Sequence, residues 1–171
     1  MSEAKIPPIT LLTSLIAEFC VPAIRGKVTS KAPVAGMELS PDARSKVGIN
    51  TPGRTVAYPA EGATVFVDLN EQRAQVWFIH PDAHRALGPV RDALARAVPG
   101  LTQVSEASPM PGLGELILLA DLGNGRGVRV EISHPAGGPE NFFVVRTVGL
   151  QITDPAAFKK ELEAGKAKRP S

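Results

Sequence analysis

Three histidines stand where strands should end or helical turns begin: His80 and His84 in V-W-F-I-H-P-D-A-H, and His134 in I-S-H-P. His80 and His134 each precede a proline, which sets both imidazoles at strand ends, and Asp82 lies between the first two histidines. Neutral imidazoles converging on one ion at ~2.1 Å, with a carboxylate oxygen added, make a zinc site. The same groups suit acid–base work, with Asp82 or Glu140 assisting His80 or His134, because imidazole titrates near neutrality. One functional alternative follows: a small hydrolase using His80, His84, His134 and Asp82 around a metal or an activated water. Spacing argues against it. An H-x3-H pair is diagnostic within a single helix, whereas Pro81 divides a strand from a helical turn here. The structural reading accounts for each residue separately. Trp77 and Phe78 alternate across a strand covered on both sides, Pro81 ends its ladder, and Asp82 caps the turn that follows. The expectation is a chain with no cofactor, no metal, and no catalytic set defined by sequence.

Other motifs point the same way. The glycine-rich G-L-G-E and D-L-G-N-G-R-G could cradle a phosphate, but the first precedes a strand and the second reads as a hairpin turn. Neither G-x-S-x-G nor H-E-x-x-H occurs, and Cys20 falls on the apolar stripe of a helix. Phe142-Phe143 with Arg146 is the nearest approach to a base-stacking strand, and it is a single cluster in a chain with one Trp and one Tyr. These features argue against nucleic acid as a partner.

The elements that would hold these residues follow from periodicity. Ile9, Leu12, Leu15, Ile16, Phe19 and Cys20 recur at helical spacing, predicting a helix that stops near Pro22. Its other face is Thr, Ser and Ala, so it should be covered by the sheet or by a second subunit. Residues 23–54 carry Pro or Gly every few positions and read as an extended arm. Strands are then expected at T-V-A-Y, A-T-V-F-V-D-L, A-Q-V-W-F-I-H, L-T-Q-V-S, E-L-I-L-L-A-D, R-G-V-R-V-E-I-S and N-F-F-V-V-R-T-V-G-L-Q-I. Between the third and fourth, a turn over 81–87 leads to a main helix from Pro89 to Pro99. In the sixth, Val128, Val130 and Ile132 alternate with Arg129, Glu131 and Ser133, the pattern of a strand with one wet face. Asp154 caps a last helix with Pro155 at its first position and Gly165 as its stop.

The 171 residues suit one domain with its own core. The expected division is an N-terminal helix over 1–22, an arm over 23–54, a sheet core with one helix over 55–153, a C-terminal helix over 154–165, and a basic tail over 166–171. The fold class is α+β, a predominantly antiparallel sheet of about five to seven strands with helices mainly on one face. The order helix, strands, helix, strands, helix resembles the layout of small secretion chaperones. Those are typically acidic, this chain has a net charge of +2, and no family follows from layout alone.

One cysteine cannot close an internal disulfide, and no apolar run approaches the ~20 residues of a membrane span, which points to the cytoplasm. The alternative, secretion by an N-terminal signal, rests on the short apolar run Ile9–Ile16; Glu3 and Glu18 weigh against it. Residues 55–153 hold every acidic excess and no Lys, while both ends are basic. With a two-sided sheet, a weakly polar first helix and no convergent catalytic set, the expectation is a non-catalytic binding or assembly protein. Its partner would be itself, as a homodimer, or another protein.

Overall fold

The computed structural model describes residues 7–25, 37–46, 55–60, 62–68, 72–137 and 141–167. The first helix is α1, Pro8–Leu15, opened by Pro8 at its first position. The helical run ends at Ile24, two residues past Pro22. A π-turn, Ile16–Cys20, carries it into α2, Val21–Ile24, and the Val21 N–H donates to the Ile16 carbonyl five residues back. Pro22 lacks an N–H and would crowd the carbonyl one turn earlier, and the wider π register is where a helix accommodates that.

The sheet has seven strands of six residues or more: β2 Thr55–Ala60, β3 Ala63–Asp68, β4 Arg73–Ile79, β5 Thr102–Met110, β6 Leu113–Gly123, β7 Arg126–Pro135 and β8 Phe142–Gln151. The two-residue β1, Met37–Glu38, adds an eighth at the β2 edge. The order is β1-β2-β3-β4-β8-β7-β6-β5, antiparallel throughout. Two meanders therefore meet at a β4–β8 seam, where Phe78 faces Phe143.

Within the expected arm, the described residues hold a helix, α3, Pro41–Lys46. Ser40 caps it, its Oγ accepting the Ala43 N–H, and Pro41 takes the first helical position. After β4 a 3-10 turn, Pro81–Arg85, precedes α4, Leu87–Ala97, which starts two residues before Pro89. A proline in the first turn of a helix removes only a donor that has no partner there. The stretch A-S-P-M-P-G-L-G, between the fourth and fifth expected strands, is the end of a long β5–β6 hairpin turning at Pro111–Gly112. Pro109 is tolerated because β5 is an edge strand.

The core joins helix and sheet. Leu12, Leu15, Ile16, Phe19, Ala23 and Ile24 are buried with Val90 and Leu94 of α4 against Val65, Val67, Val76, Phe78, Val128, Val130, Ile132, Phe143 and Val145. Every strand residue in that set is one of an alternating series, so these side chains share one face of the sheet. The last helix, α5, Pro155–Ala167, runs along β5 and is capped as expected, Asp154 Oδ1 accepting the Ala157 N–H. Its Phe158 ring lies where a side chain on Gly127 would point, at 3.1 Å, and Gly127 alternates with the core residue Val128. Gly165 is not its stop. A Cβ there would stand 2.7 Å from the Gln103 carbonyl, so glycine allows the helix to approach the β5 backbone. Among the described residues, no helix is long and apolar enough to cross a membrane.

Candidate functional site

The three histidines fall on separate pieces of the fold. His80 ends β4 with extended backbone, its N–H donating to the Asn141 carbonyl at 2.8 Å and its ring stacked on Phe78 at 5.5 Å. Its Nδ1 accepts the Asp82 N–H at 3.0 Å. The cap of the 3-10 turn is therefore His80 rather than Asp82: an Nδ1 at the N-cap reaches the second amide of the turn as a capping oxygen would. The Asp82 carboxylate lies 3.8 Å from the same nitrogen, and both side chains are partly exposed, at 30% and 41%. His84 is exposed on the turn, and its Nδ1–H donates to the Pro81 carbonyl at 2.9 Å. His134 is on β7, with β8 between it and β4. Its ring lies over Gly114, leaving no room for a side chain there, and its Nδ1–H donates to the Pro135 carbonyl at 3.1 Å. The structure thus brings His80 and Asp82 together and leaves His134 apart. Among the described residues, no three His, Cys, Asp or Glu side chains are grouped to hold a metal ion. Glu140 lies outside the described residues.

The other motifs are also placed. Of G-L-G-E, Gly112 closes the β5–β6 hairpin and Leu113–Glu115 open β6, while the second stretch is a hairpin turn with Asn124 at φ 56° and Gly125 at φ 74°, a type I′ pair. Phe143 is in the core and Phe142 on the opposite face. Cys20 is fully buried, and burial pushes its thiol up to about 12 despite the hydrogen bond with Thr147.

The side chains that converge lie on the second face of the sheet. Cross-strand pairing sets Asp68, Arg73, Val148, Arg129 and Leu119 in one row. The next row holds Phe66, Gln75, Arg146, Glu131 and Ile117. Between them opens a pocket of about 300 Å³ lined by Phe66, Arg73, Arg129, Arg146, Val148 and Leu150, with Asp68, Gln75 and Glu131 also on its wall. Arg129 Nε donates to Glu131 Oε1 at 3.0 Å. One row further along, Trp77 Nε1 donates to Gln75 Oε1 at 2.7 Å and its ring meets Phe66 edge-on at 6.1 Å. Beside them a shallower depression of about 260 Å³ is formed by Gly62, Ala63, Thr64, Phe66, Trp77 and Ile79. Ile79 is 64% exposed, so β4 is not covered on both sides along its length.

Sequence reasoning missed this cluster. The alternation of Arg129 and Glu131 with apolar residues marked a wet face. Arg73 and Arg146 join them only through the pairing of β4 and β7 with β8, across sequence gaps that carry no local signal. Compared with protein-family models, curated proteins and solved structures, the chain finds no match. What can be said of its class is that it is an α+β protein built on one antiparallel sheet, with a pocket on the face away from its principal core.

Proposed function

We propose that this chain is a non-catalytic binding or assembly protein whose first partner is a second copy of itself, docked at the β3–β4 end of the sheet's second face. The observation that carries the reading is the depression floored by the rings of Phe66 and Trp77, with Ile79 exposed at its rim and Phe142 paired beside it. A single exposed isoleucine is ordinary, but one bordering an aromatic-floored depression is the form of an anchor and its socket. None of the described residues that line the depression is charged, and an uncharged patch can be its own complement across a two-fold axis. On this reading α1, α2 and α4 cover mainly one face of the sheet, and the other is kept for association. A protein confined to one compartment without disulfides is consistent with the lone buried Cys20.

Sedimentation equilibrium across a wide concentration range tests it. The wild-type chain is expected to show a monomer–dimer equilibrium, and Ile79→Asp, which places a carboxylate at the rim, to remain monomeric with an unchanged circular dichroism spectrum. A wild-type chain that stays monomeric up to millimolar concentration, or an Ile79→Asp chain that dimerises as well as wild type, overturns the reading.

A further inference from the structure

We infer that the arginine-lined pocket is a binding site for a small organic monocarboxylate with an apolar body. Three guanidinium groups, from Arg73 on β4, Arg129 on β7 and Arg146 on β8, surround one opening, and each comes from a strand that the sheet holds rigidly. Arg129 is engaged by Glu131 through its Nε. Among the described residues, neither Arg73 nor Arg146 makes an ion pair or a hydrogen bond through its side chain. Arg146 is only partly exposed, and its neighbours in register are Gln75 and Glu131. A half-buried guanidinium with open donors, facing a cavity, is the planar fork that matches a carboxylate bidentately.

Charge and lining narrow the ligand. The wall carries three arginines against Asp68 and Glu131, a formal excess of one positive charge, which suits a monoanion and works against a doubly charged phosphate. Phe66, Val148 and Leu150 line the rest of the cavity. Such surface gains from burying hydrocarbon or an aromatic ring and gains nothing from a fully hydrated ion. The volume, about 300 Å³, is at the small end of the range for ligand cavities. The site is separate from the depression at Ile79, sharing only Phe66 with it, so it does not rest on the self-association reading.

The test titrates the wild-type chain with phenylacetate, with its neutral isostere phenylacetamide, and with inorganic phosphate, by calorimetry and by the fluorescence of Trp77. Saturable binding of phenylacetate is expected, with phenylacetamide and phosphate much weaker. Removing a charged fork should cost about tenfold or more, so Arg146→Gln is expected to lose affinity on that scale. Arg146→Lys keeps the charge without the bidentate geometry and is expected to fall between, while Arg73→Gln repeats the test at an exposed position if residue 146 proves necessary for folding. Ile79→Asp and the α4 surface change Arg96→Gln should leave binding unchanged, which separates this site from the dimer contact. The inference is overturned if phenylacetate does not saturate, if phenylacetamide or phosphate binds as tightly, or if folded Arg146 and Arg73 variants bind like wild type.

Discussion

The two faces of the sheet are made from the same strands and differ in almost every property. On the core face Val65, Val76, Phe78, Val128, Val130, Ile132, Phe143 and Val145 are fully buried aliphatic and aromatic residues, close-packed against α1, α2 and α4. The residues alternating with them include Arg73, Gln75, Arg129, Glu131 and Arg146 alongside Phe66, Trp77 and Ile79, and their burial runs from nearly complete at Phe66 to 64% exposure at Ile79. Stability requires only one such face, which frees the other to carry charge in a concave, partly apolar setting. That division is what places the candidate site on the second face.

The contrast can be broken most directly by truncating an aromatic on each side. Phe78→Ala is expected to cost about 3 to 5 kcal/mol in a denaturant titration, because it empties a fully buried site at the meander seam. Trp77→Ala, one residue away, removes a larger side chain but loses only a half-buried ring, its Phe66 contact and one hydrogen bond, so it should cost clearly less. Equal costs would mean the second face is as much a core as the first.

Cys20 sharpens the comparison in pH. Its folded thiol titrates near 12, well above an unfolded cysteine, so between pH ~9 and 12 the unfolded chain releases a proton that the folded one keeps. This contribution to stability is therefore present below about pH 9 and is lost as pH rises towards 12. Cys20→Ser and wild type compared by denaturant titration at neutral and alkaline pH will show whether wild type loses the additional stability in that window. Native Cys20 should also resist alkylation at pH 8 and react promptly in denaturant, since the thiolate is the nucleophile. Rapid modification of the folded chain would contradict its burial.

At the sheet edge, Gly165→Ala is expected to cost about 1 to 3 kcal/mol, because its Cβ would meet the Gln103 carbonyl as well as the Cγ1 and Cα of Val104, and the backbone atoms among them cannot turn aside. The mutant is checked by the same titration, and a neutral result would show that α5 can lift from β5 freely. The smallest effect is at the turn after β4. His80→Ala should cost about 1 kcal/mol as the loss of a cap, and Asp82→Ala less, since its carboxylate caps nothing. The reverse order in measured stability would restore Asp82 as the capping residue.

Much of the fold was legible where local chemistry decides it. Asn124-Gly125 specifies its hairpin because both residues accept positive φ, Asp154-Pro155 starts α5, and period-2 alternation marks β3, β4 and β7. The helix α3 was also within reach, for Ser40-Pro41 is a cap followed by a first-position proline; it was obscured by the surrounding Pro and Gly. The length of β5 was not, because Ser105–Met110 is exposed and held by pairing with β6 rather than by burial. Nor could the pocket be read, since nothing local tells β4 to choose β8. His80 shows the opposite failing. A residue type associated with chemistry was serving as a cap, a role that depends on backbone angles and on the ring lying flat against Phe78.

The β4–β8 seam has a consequence for how the molecule comes to be folded. Each meander is made of hairpins that close short loops, and such contacts form early and locally. The seam joins residues 63 to 75 positions apart, so its loop-closure entropy must be met before Phe78 and Phe143 gain from meeting. On a ribosome, β2, β3 and β4 emerge well ahead of β8, and until the last strand arrives β4 is an unpaired edge bearing Val76 and Phe78. The nascent chain therefore passes through a stage at which a strand that supplies two fully buried core residues is an open, adhesive edge. Until β8 is made, that edge is open to aggregation or to a holding chaperone.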